Sequence, residues 1–308
     1  MVAMKTIEFS RIRLSFITTL IILGVSVSAI ASVRADGSVL RGFDVPALVP
    51  FGTINKPAPA IYWPIGVTFD GRNLWYSQPC DCTSDIFQST TSGVLTNTLH
   101  ELNQAGSLAW DGNHLWVGIF GRTCHNPNSG CVLLWQVDPV TGNVVKTLDL
   151  SAMFAADGLG GCDAISGLSY DSGKGTLWLN PNVGCSAAVN NGNPCDLGFV
   201  YNIDTSGNLL KRLQLPYGVA GVTRAGNNLY IVTCGATVGA PNRIVLKTTL
   251  DGTIVSQFTT TSISGQNERA ESIVFDPVTF APNCTLWVVQ DYGIPFDASL
   301  AAYQVACN

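Results

Sequence analysis

The sequence predicts an all-β protein, a single β-propeller of five four-stranded blades. The main observation is a repeated phrase whose fullest copy, residues 105–121 (AGSLAWDGNHLWVGIFG), has two short apolar strands joined by the tight turn Asp111-Gly112-Asn113. Asp, Gly and Asn supply the positive φ angles that a tight hairpin needs. The five copies end at aromatic residues spaced 41, 62, 52 and 57 positions apart: Trp75, Trp116, Trp178, Tyr230 and Trp287. This spacing is typical of propeller blades of about 40–50 residues with loop insertions.

A second hairpin follows the first in four of the copies. Together the two hairpins give four strands, which is the unit of a propeller blade. The predicted second hairpins cover residues 86–102, 132–150, 198–215 and 244–259, and the first of these is the least regular.

The fifth copy has only one further strand, near Ala298–Val305, so its blade lacks a strand. An apolar stretch before the first copy, Pro46–Ile54, has no counterpart in the repeat. We therefore predict that a strand from the N-terminus completes the last blade, which closes the ring and protects its edges. Six blades are the alternative, if residues 36–60 and the long loop 151–165 contain further strands.

Residues 1–35 resemble an export signal, and residues 36–308 form the predicted propeller domain. Three basic residues precede the apolar stretch 14–30, and small residues follow it, so cleavage is expected after Ala31 or Ala35. The alternative is a retained signal anchor, because the apolar stretch approaches the roughly 20 residues of a membrane span. The mature protein is expected to be secreted, either extracellular or periplasmic, with no membrane span after cleavage.

The mature chain is acidic. Residues 1–35 hold four of the 16 basic and one of the 21 acidic residues, so the remainder has 12 Lys and Arg against 20 Asp and Glu, a net charge of −8. Such a chain lacks the basic patch of a nucleic-acid binder, which excludes nucleic acid as a partner. We expect a monomer with an extracellular ligand.

All ten cysteines follow residue 35, and an even number of cysteines behind an export signal predicts disulfides. The loops between blades and the loops between the second and third strands of a blade lie on one face of the propeller, which we call the top face. The turns of the two hairpins of each blade lie on the opposite face, which we call the bottom face. Only Cys284 and Cys307 map to the bottom face, which predicts a bond between them that clamps the final blade. Two further pairs close short top loops: Cys124 with Cys131, and Cys185 with Cys195. The pairing of four others stays open: Cys80, Cys82, Cys162 and Cys234.

The long loops also lie on the predicted top face, whereas the bottom turns are short. Long loops held by disulfides on a rigid scaffold favour a ligand-binding surface. The alternative is that they only cover the channel mouth and resist proteases. The candidate ligand-binding residues lie at the top ends of the first and second strands of the blades: Tyr62, Asp163, Tyr217, Arg269 and Gln290.

Aligning the five copies places one residue of each blade in a ring at the top end of the channel: Ile65, Gly106, Ser166, Ala220 and Glu271. Glu271 is the one charged member, and a carboxylate there needs solvent, a partner such as Arg269, or a metal ion. Carboxylate and amide oxygens suit Ca²⁺, a hard cation. A site for Ca²⁺ or another divalent cation is therefore predicted from four residues: Asp163, Asn182, Glu271 and Asp291.

The phrase with its Asp-Gly turn and Leu-Trp pair, and the segment AESIVFDP at residues 270–277, resemble the repeats of streptogramin-lyase-like, gluconolactonase-like and NHL-type propellers. The resemblance extends over all five blades and implies the propeller fold. In gluconolactonases a glutamate of this segment binds a divalent cation beside an Asn and an Asp. The resemblance implies that role for Glu271, with Asn182 and Asp291 as its partners.

Two functions of different classes follow. The first is a secreted, non-catalytic propeller that binds a glycan, a protein or a small molecule on its top face, since residue types typical of catalysis are few. The second is a divalent-cation-dependent lactonase or lyase with its site at the channel mouth around Glu271. Streptogramin lyases use catalytic histidines, but here His100 falls on an outer strand, His114 in a bottom turn and only His125 in a top loop. The sequence leaves open whether the protein is an enzyme.

Overall fold

Five four-stranded antiparallel sheets form the blades of a ring in a computed structural model of the protein. The residues that the structure describes are 36–45, 66–77, 85–100, 102, 104–120, 131–160, 162, 164–182, 198–233, 244–263, 269–291 and 298–307. The chain divides into two compact units, Met1–Val33 and Arg34–Asn308, and the first unit lies outside these residues. None of the helices in the described part of the chain is long and apolar enough to cross a membrane.

Each blade begins at the central channel and ends at the outer edge. From the channel outwards, blade one consists of β2 (Val67–Phe69), β3 (Asn73–Ser77), β4 (Ile86–Thr90) and β5 (Leu95–Leu99). Blade two consists of β6 (Ala105–Trp110), β7 (Leu115–Ile119), β8 (Leu133–Val137) and β9 (Val144–Asp149). Blade three consists of β10 (Ile165–Asp171), β11 (Thr176–Pro181), β12 (Phe199–Asp204) and β13 (Leu209–Gln214). Blade four consists of β14 (Val219–Ala225), β15 (Asn228–Thr233), β16 (Ile244–Thr249) and β17 (Ile254–Thr259).

Blade five confirms the predicted closure of the ring. Its strands are β18 (Arg269–Asp276), β19 (Cys284–Asp291), β20 (Ala298–Val305) and, at the outer edge, the N-terminal strand β1 (Val39–Asp44). Backbone bonds tie the two ends of the domain together, with Gly37 N donating to Gln304 O at 2.9 Å and Gln304 N donating to Ser38 O at 2.8 Å.

The closing strand lies earlier in the chain than expected. The sequence suggested Pro46–Ile54, a segment outside the described residues, whereas Val39–Asp44 pairs with β20. The six-blade alternative is not realised, since the loop after β9 instead forms the short helix α1 (Ser151–Ala156).

Burial falls from the channel outwards. The second strands of blades two and three are buried along their whole length, whereas the outer strands β9 and β17 are mostly exposed. A strand that is covered on both faces needs a continuous apolar run, and an outer strand does not. This difference explains why the Leu-Trp phrase of the inner strands is the clearest part of the repeat.

In the described part of the chain, five large clusters of buried apolar side chains lie between neighbouring blades, one for each pair, and a small sixth joins Phe120 to Ala164. The cluster between blades two and three also receives Phe154 of α1, which is fully buried and stacks on Tyr201 with ring centroids 5.2 Å apart. Neighbouring innermost strands contact each other around the whole ring, from β2 through β6, β10, β14 and β18 back to β2. No blade could therefore bury its apolar faces without its neighbours.

An aspartate at the first turn of a blade does more than form the turn. In three blades it accepts a 2.9 Å bond from the indole N–H of the tryptophan on the second strand: Trp75 to Asp70, Trp116 to Asp111 and Trp287 to Asp276. Blade three departs from this pattern, because Asp171 is ion-paired with Arg224 of blade four. In this blade the buried Nε1 of Trp178 has no hydrogen-bond partner in the described part of the chain. A buried donor without a partner costs about 1–3 kcal/mol.

The predicted disulfide between Cys284 and Cys307, 23 positions apart in the chain, is formed. Cys162 is also disulfide-bonded, to a residue outside the described ranges. Cys131 has a free thiol that packs against the core between blades one and two, so its predicted bond to Cys124 is not formed here. Cys124 itself and the predicted pair Cys185 and Cys195 lie outside the described residues.

Candidate functional site

The top mouth of the channel is marked by a β-bulge in successive blades. In blades three, four and five the pairing of the first two strands shifts by one residue, and the extra residues are Ser166, Ala220 and Glu271. Blade two has a corresponding shift between Ala105 and Leu108. These extra residues belong to the ring of positions that the alignment of the repeats predicts.

Directly below the bulges, the backbones of neighbouring blades approach closely at small residues. A Cβ atom on Gly167 would lie 2.6 Å from the backbone nitrogen of Val222, and one on Gly221 would lie 2.9 Å from the carbonyl oxygen of Glu271. Real Cβ atoms do not approach other atoms so closely, so blades three, four and five can meet here only through glycine. These three blades therefore pack tightly against one another around the top mouth, so the channel wall there is rigid.

Two asparagines of blade three stabilise this wall. The Asn182 side chain donates to Ser166 Oγ at 2.6 Å, which binds the loop after β11 to the bulge. Asn180 is fully buried and donates to the carbonyl oxygens of Pro181 and Val219, both at 3.0 Å. Asn182, a predicted metal ligand, thus has its amide group engaged by the protein.

Gln290, a predicted ligand-binding residue, is also engaged within the fold. It is 1% exposed, and its Nε2 donates to Tyr303 Oη at 2.6 Å and to the carbonyl oxygen of Thr261 at 3.1 Å. This network joins the second and third strands of blade five to the end of blade four. Gln290 Nε2 therefore holds the top end of blade five to the end of blade four, and its role in ligand binding stays a prediction.

Three predicted site residues lie together at the top end of blade five. Arg269 is exposed and pairs in the strand register with Asp291, while Glu271 is the bulge residue two positions further along β18 and is half-buried. Arg269 is a predicted ligand-binding residue, and Glu271 and Asp291 are predicted metal ligands. The strand pairing thus brings both carboxylate-bearing residues to adjacent strand ends.

Tyr217 lies immediately before β14, in the loop that enters blade four at the top. Its hydroxyl is buried and has no hydrogen-bond partner within the described ranges. Burial raises the pKa of Tyr217, so the hydroxyl stays protonated and can donate a hydrogen bond.

Gln104 is a residue that the sequence did not single out. It is 4% exposed and adopts φ of +67°, the left-handed conformation that side-chain-bearing residues rarely take. It lies directly before β6, and its carbonyl oxygen accepts a 2.8 Å bond from Phe120 N. Strained backbone of this kind is concentrated at functional sites. No sequence signal identifies it, because glutamine is not typical of positive φ.

Two predicted residues, Tyr62 and Asp163, lie outside the described residues, as does the side chain of Asp291. Within the described ranges no group of three or more His, Cys, Asp or Glu side chains could hold a metal ion. The proposed cation set therefore remains a prediction that depends on Asp163 and Asp291.

Comparison with known proteins supports the fold. No protein-family model matches the chain, and no curated protein matches it. Among solved structures, the chain is similar to a glutaminyl cyclase of Myxococcus xanthus, with a TM-score of 0.55 and 14% identity over 87% of this chain and 97% of that one. It is also similar to a tail fibre of the Staphylococcus aureus phage P68, with a TM-score of 0.53 and 11% identity over 87% of this chain and 52% of that one. At such low identity the likeness concerns the fold alone, and fold does not imply function.

Proposed function

We propose that this protein is a secreted, disulfide-stabilised β-propeller that binds a glycan, a protein or a small molecule on its top face and catalyses no reaction. The observation that carries the proposal is the bulge at one level of three successive blades, where the extra residue of blade five is Glu271. Bulges re-aim side chains and are frequent next to functional sites. A ligand with hydrogen-bond donors or a cationic group suits a carboxylate in that position.

The polar groups around the bulges favour binding over catalysis. The amides of Asn180, Asn182 and Gln290 support the wall of the mouth through hydrogen bonds within the protein. The two histidines in the described part of the chain lie elsewhere, His100 after the outer strand β5 and His114 beside Asp111 in a bottom turn. A rigid mouth with few acid–base groups suits recognition of a ligand.

The test compares the purified protein with its Glu271→Gln variant on a glycan array and on an array of extracellular proteins. We expect saturable binding by the natural sequence and loss of most of that signal in the variant. Asp251→Asn is the matched control, because Asp251 is an exposed carboxylate of a bottom turn. If Glu271→Gln binds as strongly as the Asp251→Asn control, the proposal of a ligand at the top mouth is rejected.

The second candidate function is that of a divalent-cation-dependent lactonase or lyase. It is favoured by the position of Glu271 and Asp291 at the top ends of neighbouring strands and by the resemblance to gluconolactonase-like repeats. Glu271, Asp291, Asn182 and Asp163 would hold Ca²⁺ or another divalent cation, which would polarise a carbonyl oxygen of the substrate.

Metal analysis separates the two candidates. The cation-dependent function predicts a bound divalent metal and a thermal midpoint that EDTA lowers in the natural protein but not in Glu271→Ala. The non-catalytic function predicts no copurified metal and equal midpoints with and without EDTA.

A further inference from the structure

The opposite, bottom mouth of the channel contains two adjoining cavities of about 270 and 290 Å³. The first cavity includes Arg224 and Asp171 in its lining, and the second includes Asp70 and Asp111. Both volumes are large enough for a ring compound of the size of a sugar. The top-face proposal uses none of these residues.

The rim of these cavities is a ring of large side chains, one from each blade. Each rim residue lies near the end of an innermost strand and pairs in the strand register with a leucine of the second strand: Phe69, Trp110, Tyr170, Arg224 and Phe275. Four are aromatic, and blade four alone contributes a cation. The repeat therefore forms an aromatic rim that is interrupted at one position by a guanidinium group.

An ion pair holds this guanidinium in place, and the blade that supplies its carboxylate lacks the Asp–Trp hydrogen bond found in other blades. Asp171 pairs with Arg224, and the backbone N of Arg224 donates to Ser169 Oγ at 3.0 Å. The equivalent aspartates of blades one, two and five bond the blade's own tryptophan, whereas Trp178 Nε1 lacks a partner among the described residues. Blade four has Ala225 where the other blades have that aspartate.

The charges at the mouth select against anions. In the first cavity Arg224 and Asp171 are the charged lining residues, and they neutralise each other. In the second cavity the carboxylates of Asp70 and Asp111 are occupied by turn N–H groups, indoles and glutamine amides. These carboxylates would repel an anion, and Arg224, which is paired with Asp171, does not offset that repulsion.

The remaining groups recognise hydroxyls and apolar ring faces. Ser169 and Thr223 lie one residue before Tyr170 and Arg224, and their buried hydroxyls hydrogen-bond each other at 3.3 Å below the rim. Arg224 lines the cavity, and its buried Nε has no partner in the described part of the chain. Burial and the charges of Asp111 and Asp171 raise the pKa of Tyr170, so its hydroxyl remains a donor. Aromatic faces around a polar floor suit a molecule that is apolar on its faces and hydroxylated at its edges.

We propose that the bottom mouth binds a neutral, polyhydroxylated ring compound, that is, a monosaccharide or the terminal unit of a glycan. The aromatic rim packs on the C–H faces of the sugar ring, and the side chains of Arg224 and Tyr170 bond its hydroxyl groups. This site is independent of the top mouth and of Glu271.

The test titrates the purified protein with glucose, galactose, mannose and N-acetylglucosamine, followed by tryptophan fluorescence and saturation-transfer NMR. We expect saturable binding of at least one sugar at millimolar concentration. Arg224→Gln should weaken it at least about tenfold, the loss expected for hydrogen bonds to a charged group. Trp110→Leu should weaken it comparably, and provides a second test if Arg224→Gln does not fold.

Arg212→Gln is the matched control, because Arg212 also pairs with an aspartate, Asp157 at 2.5 Å, and lies over a phenylalanine ring, but outside both cavities. Its sugar affinity should equal that of the natural protein, as should that of Glu271→Gln. The proposal is overturned if no sugar binds, if Arg224→Gln and Trp110→Leu bind as the natural protein does, or if benzoate or tetramethylammonium binds in preference to every sugar.

Discussion

At the top mouth of the channel the innermost strands bring their backbones together at glycines, whereas at the bottom mouth the same strands end in large side chains around two cavities. Gly167 and Gly221 have no room for a Cβ atom, while Tyr170 and Arg224, three residues further along each strand, line open space. The difference shows how one strand can serve two purposes. Its first half packs blade against blade, and its second half lines the bottom mouth with large side chains.

The largest expected effect concerns the covalent clamp on the bottom face. The Cys284→Ser/Cys307→Ser double variant should lose about 3 kcal/mol of unfolding free energy, because the bond closes a loop that joins the last blade to the C-terminus. Urea unfolding without reductant measures the loss. Cys131→Ser, which removes a free thiol, should change the value by less than about 1 kcal/mol. Equal losses would mean that the disulfide adds nothing to ring closure.

The next effect concerns the wall of the top mouth. Gly167→Ala should cost about 2 kcal/mol, since the added methyl group meets the backbone of blade four and the core must shift. Gly160→Ala is the control, because a Cβ atom there has no neighbour within 4 Å. Thermal and urea unfolding of the two variants would show the difference. A neutral Gly167→Ala would mean that the blades are not in such close contact.

A smaller effect on stability distinguishes blade two, which has the Asp–Trp hydrogen bond at its bottom turn, from blade three, which lacks it. Trp116→Phe removes a bond to Asp111, whereas the Nε1 of Trp178 has no such bond to lose. Trp116→Phe should therefore destabilise the protein by about 1–2 kcal/mol more than Trp178→Phe. Unfolding by urea at neutral pH measures both. If the two losses are equal, the departure of Asp171 from the pattern has no energetic consequence.

The smallest effect is on pH dependence. Burial alone would raise the pKa of Asp111, but the N–H groups of Asn113 and His114 and the side chains of Gln136 and Trp116 together lower it. A lowered folded-state pKa means that the stabilisation is present above the unfolded value of about 3.9 and is lost as the pH falls through the folded value. Asp111→Asn should therefore flatten the dependence of unfolding free energy on pH between about pH 4 and pH 2. An unchanged slope would contradict this.

Those features of the fold that depend on local chemistry could be predicted from the sequence. The Asp-Gly turn at residues 111–112 and the Leu-Trp pair that follows it determine a hairpin within ten residues, and Gly112 has the expected positive φ of 104°. Repetition of that phrase predicted five blades, and the missing strand of the fifth predicted the closure from the N-terminus. The bond between Cys284 and Cys307 followed from which face each cysteine occupies.

Only the tertiary structure shows which polar side chains are already engaged by partners within the protein. Gln290 appeared suited to a ligand by its position, but Tyr303 and Thr261 engage its amide. Asp171 matches the aspartates of the other blades in sequence, yet it pairs with Arg224, a residue 53 positions later. The left-handed Gln104 has no sequence signal at all. The Asp171–Arg224 pair and the bond from Gln290 to Thr261 join different blades, and contacts between distant segments are set by the packing of the ring, which a local pattern of turns and apolar residues does not encode.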